Sequence, residues 1–310
     1  MKNLRLEKRE NVKSEIKRLL EDKKRVLFIH YSCESFYDIK EGHTPRITSI
    51  AIQYLNTTTT ELFSIYKIAE KKQVNIELKT NYDELEKEML TKFFSFVKKH
   101  KEYKWIHWNM RDVNYGFEAI NNRYEILKGK SYEIKEENKF DLADKLKEFY
   151  GKNYIEHPRL EKICDYNKID RKDFLSGQEE AKAFEEKKYL DLHRSILRKV
   201  KILKEIFEKM IDNSLKHKSK FRDTYGISIQ SVYDLIKDDW RAFLIWNILV
   251  IIFGHFLIIS LMKFIERFQF TAKKLRRIRC NIFTSPYKRK PYRLLCVAAH
   301  IHQCIKIGKY

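Results

Sequence analysis

The chain alternates between two kinds of hydrophobic pattern. VLFIHYS, 26–32, is a nearly continuous apolar run, as a strand buried on both faces would be. RITSIAIQYL, 46–55, alternates, with Ile47, Ile50 and Ile52 among polar residues. NTTTT, 56–60, marks a turn, and ELFSIYKI, 61–68, alternates again, so 46–68 is expected to form a β-hairpin. Asn81 is placed to cap a helix over YDELEKEMLTKFFSFVKKH, with acids early and Lys and His late, as the helix dipole favours. KWIHW, 104–108, predicts a further short strand, followed by a helix through about Leu127. Asp141 opens a helix at 142–150, residues 155–177 are loop and short helix, and EEAKAFEE leads into one long helix, 188–211. The order β, hairpin, α, β, α and then helices predicts an α/β fold with a mixed sheet.

A second regime begins near the C-terminus. AFLIWNILVIIFGHFLIISLM, 242–262, has no charged residue, and fourteen of its residues are Ile, Leu, Phe or Val. At ~1.5 Å per residue it spans about 31 Å, the thickness of a bilayer core. Its apolar side chains favour insertion by roughly 4–8 kcal/mol, from which Asn247 and His255 subtract a few. A transmembrane helix is expected there, against the plainer reading of a buried core helix. The pattern divides the chain into a charged helix over 1–25, an α/β domain over 26–211, a linker over 212–241, the membrane helix and a basic tail over 263–310.

Charge sharpens this division. The net charge is +21, and residues 263–310 hold thirteen Lys/Arg against one acid, Glu266. The first 262 residues hold 51 basic and 42 acidic residues, a net of +9. Polyphosphate chains and anionic headgroups are the natural partners of such a field. The five scattered cysteines argue for a reducing compartment. The segment MKNLRLEKRENVKSEIKRLLEDKKR lacks the apolar region of a signal peptide; it reads as a surface helix with Val12, Ile16, Leu19 and Leu20 on one stripe, or as a nucleic-acid-binding arm. This places a single-pass protein in the membrane with its N-terminal domain in the cytoplasm. The positive-inside tendency would also keep the tail in the cytoplasm, in conflict with a single crossing. Either the tail crosses despite its charge, or the apolar segment does not fully cross, or the tail is atypical sequence, for example from a shifted reading frame.

Three motifs carry candidate chemistry. The first strand runs into IHYSCESF, with Ser32 and Glu34; IHWNMRDVNYGFEAI ends a strand and contains Asp112; YLDLHRSILRKV lies on the long helix with His193 and Arg198. In order and spacing, residues 24–211 resemble the DEDD 3′–5′ exonucleases, on a ribonuclease H-like fold with a mixed β-sheet flanked by helices. The resemblance implies that Glu34 and Asp112 hold metal, that His193 is the general base, and that Ser32 and Arg198 stand where two further carboxylates belong. An alternative register puts His30 and Ser32 on the first motif and loses both its acids; the register that keeps Glu34 is adopted.

Two-metal phosphodiester cleavage uses clustered carboxylates to hold two cations roughly 3.5–4 Å apart. With two carboxylates replaced, one of them by arginine, the site is degenerate. One Mg²⁺ or Mn²⁺ held by Glu34, Asp112 and water is the residual expectation, with Asp191 as a substitute acid or a partner of Arg198. Each residue also has a plainer reading: Asp112 as a helix cap, His193 as a core histidine, Glu34 as a loop acid. Phe63, Tyr66, Trp105, Trp108, Tyr115, Phe117 and Tyr124 are either core or platforms for single-stranded bases. Cys296, His300, His302 and Cys304 bring metal donors together without the spacing of a structural zinc site. The expected function is a membrane-anchored, catalytically degenerate exonuclease-like protein that binds nucleic acid or a protein partner. The alternatives are an active metal-dependent nuclease with an altered site and, by analogy alone, a membrane effector of bacterial defence.

Overall fold

A computed structural model describes residues 4–35, 44–74, 76, 79–226, 229–238 and 240–283. The chain divides into two units, Met1–Leu235 and Ile236–Tyr310. The first is built on a five-stranded sheet: β1 (Val26–Cys33), β2 (Ile47–Tyr54), β3 (Thr60–Ser64), β4 (Lys104–His107) and β5 (Lys139–Asp141). The strand order is β3-β2-β1-β4-β5. β2 runs antiparallel to β1 and to β3, while β1, β4 and β5 are parallel. This is the mixed sheet with flanking helices that the motif order predicts.

The alternation of β1 assigns its residues to two cores. Leu27, Ile29, Tyr31 and Cys33 join the core under α2 (Ile65–Lys72), α3 (Lys79–Lys99) and α4 (Phe117–Ile126). Val26 and Phe28 join the core on the opposite face, with Ile202, Leu203, Ile206 and Phe207 of α8 (Tyr189–Ile211). His30 and Ser32 therefore lie on the α8 face. That face is completed by α1 (Leu4–Glu21), whose Val12, Ile16 and Leu19 are buried, and by α5 (Leu142–Tyr150). Asp141 caps α5, its side chain accepting from the amides of Ala143 and Asp144. Between α5 and α8 lie α6 (Arg159–Asn167) and α7 (Gly177–Glu185), the latter opened by a capping box of Ser176 and Glu179.

Several local expectations are corrected. β3 ends at Ser64 and the next residues are helical, because Ile65, Ile68 and Ala69, at i, i+3 and i+4, make the buried face of a helix. α3 begins at Lys79, two residues before Asn81. Asp112 does not start a helix; α4 begins five residues later, at Phe117. After α8 the chain packs back on the domain through α9 (Phe221–Tyr225), whose Thr224 and Tyr225 are buried. The Arg9 guanidinium lies over the rings of Phe149 and Tyr225 and donates to the Phe149 carbonyl at 2.9 Å.

A tenth helix, α10 (Ile229–Asp238), spans the unit boundary. The second unit is described through one helix, α11 (Trp240–Phe283), of 44 residues. It is the one helix among the described residues long and apolar enough to cross a membrane, and none of its most apolar stretch is buried. Cys296, His300, His302 and Cys304 lie outside the described residues.

Candidate functional site

The α8 face of the sheet carries a row of small polar residues. Ser32, Ser49 and Ser64 are paired across β1, β2 and β3. His30 pairs with Ala51, which packs under Ile196 and Val200 of α8. Helical spacing puts Ser195 and Lys199 one turn apart on the buried side of α8. The Lys199 ammonium meets the Glu180 carboxylate of α7 at 2.8 Å, with both side chains almost fully buried. The Ser195 hydroxyl donates to the same Glu180 oxygen at 2.9 Å and accepts from the Leu175 amide at 3.1 Å. Glu180 is thereby neutralised and hydrogen-bonded in one place. The hydroxyls of Ser32 and Ser49 are buried without a hydrogen-bond partner.

His30 is neutral in this setting. Burial, with the Lys199 charge second, pushes its pKa well below the ordinary imidazole value. Its ring lies 3.4 Å from the Tyr115 hydroxyl. Tyr115 stacks on Tyr31 with centroids 4.7 Å apart and donates to the Tyr31 carbonyl at 3.3 Å. These contacts bind the loop after β4 to the end of β1. Within that loop the amides and carbonyls of Asp112 and Tyr115 exchange hydrogen bonds at 3.2 Å. The Gly116 amide donates to the Tyr31 hydroxyl at 2.9 Å.

The proposed site residues fall as follows. Ser32 is buried on β1 and faces α8. Glu34 lies just beyond β1, past a register shift between Ser32 and Cys33. Its amide donates to the Arg46 carbonyl at 2.8 Å, and its carboxylate accepts the Arg46 amide at 3.3 Å. The exposed Asp112 folds its carboxylate back onto the Asn114 amide at 2.8 Å, although its charge still reaches Tyr31. His193 sits two strands from β1, where its Nδ1 shares a 3.2 Å hydrogen bond with the Ser64 hydroxyl. Burial, with Lys67 and Arg194 adding repulsion, lowers His193 to about 4. Arg198 turns outward to the loop before α7, donating to the Lys172 carbonyl at 2.9 Å and pairing with Asp170 at 3.1 Å. Thus the loop of Asp112 meets the strand of Ser32, while His193 and Arg198 engage other partners.

No protein-family model and no curated protein matches the chain. Among solved structures it is similar to the family B DNA polymerase from the hyperthermophilic archaeon Pyrobaculum calidifontis. That likeness has a TM-score of 0.41 and 13% identity, over 60% of this chain and 24% of that one. The chain thus spans about a quarter of that polymerase. The likeness is partial, and the fold assignment rests on strand order and register.

Among the described residues, the donors on this face do not fit a pair of divalent ions. In a strand, a motif of the form Asp-x-Glu puts both acids on one face. The last two β1 positions that face α8 are held by His30 and Ser32, and Lys199 adds a positive charge that acts on His30. Among the described residues no group of three or more His, Cys, Asp or Glu side chains is placed to hold a metal ion. Sequence reading set His30 aside with the alternative register and missed Lys199 and Glu180. Counting alternation outward from Val26 and Phe28 favours His30; Lys199 and Glu180 carry no sequence signature.

Two cavities lie apart from this row. One, of about 550 Å³, is lined by Tyr66, Glu70, Tyr189 and Asp191, which places Asp191 between α2 and the start of α8. The other, of about 330 Å³, sits at the ends of β4 and β5 beside His107, Arg111 and Asp141. Burial lowers His107 to about 4 against the opposing pull of Asp141. Of the seven aromatics considered for base stacking, Trp105, Trp108, Phe117 and Tyr124 are buried core residues.

Proposed function

We propose that this chain is a membrane-anchored protein whose α/β domain is a catalytically degenerate exonuclease-like module that binds single-stranded nucleic acid. One observation carries the degeneracy: the buried Lys199–Glu180 pair at 2.8 Å, beneath a β1 face that offers His30 and Ser32. A neutral imidazole, a serine hydroxyl and an ammonium supply no carboxylate to bridge two cations, and the ammonium repels them. The partner is argued from charge. The first 262 residues carry a net +9, a field suited to a phosphate backbone. The anchor is argued from α11, whose exposed apolar stretch matches a bilayer core in length.

The test is fluorescence anisotropy of labelled single-stranded DNA and RNA against the full-length chain in detergent micelles. Binding is expected in EDTA as well as in Mg²⁺ or Mn²⁺, weakening steeply as salt rises. Absence of binding at low salt removes the nucleic-acid reading and leaves a protein partner.

A further inference from the structure

We propose that the segment of α11 after the apolar stretch, Lys263–Arg279, is a binding site for anionic phospholipid headgroups. The proposal rests on the membrane reading of residues 242–262 and adds a ligand class to it. α11 does not end where the apolar stretch ends. It continues helical for 21 residues past Met262, to Phe283. Residues 263–279 hold seven Lys/Arg and one acid, Glu266. Among these cations, large apolar side chains remain exposed: Phe264 at 66%, Phe268 at 69% and Leu275 at 62%. With Thr271 they are spaced 4, 3 and 4 residues apart, so they form one helical stripe. By the same helical geometry, Lys263, Arg267 and Lys274 lie along one flank of the stripe, and Arg276 and Arg279 are placed along the other.

This arrangement selects among occupants. A second copy of the helix would cover the apolar stripe but would bring two strongly cationic rows within a screening length of about 8–10 Å. A phosphate backbone would match the charge and leave the Phe and Leu side chains in water. A headgroup layer offers phosphates to the cations and, at the start of the segment, an acyl-chain boundary to Phe264 and Phe268. It is also adjacent. The layer outside the hydrocarbon core is about 5–8 Å thick on each side. At ~1.5 Å per residue, Arg267 lies about 8 Å beyond Met262 along the axis, at its outer edge. Lys273 and Lys274 lie about 17–18 Å beyond Met262 along the axis; with a tilt of up to about 40° they stand about 13–14 Å out, within a screening length of about 8–10 Å of the charged layer.

The experiment uses the full-length chain in mixed micelles, with native mass spectrometry counting retained phosphatidylglycerol and phosphatidylcholine. The expected result is preferential retention of phosphatidylglycerol. That preference should fall about tenfold or more when Lys263, Arg267, Lys274, Arg276 and Arg279 are all replaced by Gln, and on raising salt. Equal retention of the two lipids, or a preference unchanged by the five substitutions, overturns the proposal. Displacement of the lipid by a single-stranded oligonucleotide at matched concentration also overturns it in favour of nucleic acid. The membrane reading is scored separately by carbonate extraction from vesicles. Release of the unaltered chain defeats the anchor, whereas retention without lipid preference defeats only the headgroup site.

Discussion

Lys199 and Glu180 bury opposite charges 2.8 Å apart, and Ser195 supplies a further hydrogen bond to the same carboxylate. Removing one partner of such a pair leaves an uncompensated buried charge and costs about 3–5 kcal/mol, whereas replacing both by apolar groups is often near neutral. Lys199→Met should therefore lower the thermal unfolding midpoint sharply, and Lys199→Met with Glu180→Leu should recover most of the loss. A double variant as unstable as the single one would contradict the pairing. Protonation gives a second prediction. His107 and His193 have folded-state values of about 4, against 6.5 unfolded. Between these values the unfolded chain binds protons that the folded chain refuses, so stability falls as pH drops from about 6.5 toward 4. The slope is about 1.4 kcal/mol per pH unit for each histidine. His107→Gln should flatten the midpoint-against-pH curve in that window; an unchanged slope contradicts the buried neutral state.

At the level of elements, the loop between β4 and α4 decides where Asp112 stands. A Cβ on Gly116 would lie 2.8 Å from the Met110 carbonyl and 2.9 Å from the Asp112 carbonyl oxygen. Those neighbours are backbone, so Gly116→Ala must move the loop, at a cost of about 1–3 kcal/mol. The unfolding midpoint should fall, while Gly254→Ala, where nothing lies within 4 Å of the added Cβ, should leave it unchanged. Equal midpoints would contradict the close approach. The main elements were legible because their patterns are long: an unbroken run for β1, alternation for β2 and a 23-residue amphipathic helix for α8. β5 was not, since three residues carry no period. The site was legible only in part. Glu34 shares parity with Ser32 along the sequence, and the register shift after Ser32 cannot be read there. Arg198 and Lys199 are neighbours about 100° apart on a helix, and only the packing of α7 shows that Lys199 turns inward.

The chain carries a charged α/β domain and a helix whose apolar stretch is exposed. Deleting 242–262 should move the chain from the carbonate-resistant membrane fraction to the soluble fraction, because roughly 4–8 kcal/mol of apolar insertion is removed; continued membrane retention would contradict the anchor. The domain is proposed to hold nucleic acid without a two-metal centre. Its most direct test incubates end-labelled single-stranded RNA and DNA with the full-length chain in detergent, in EDTA, Mg²⁺ or Mn²⁺, and resolves binding and cleavage on parallel gels. At matched ionic strength, binding is expected in EDTA as well as in either metal, with no shortened product. Metal-dependent shortening that disappears in Glu34→Ala and Asp112→Ala would contradict it.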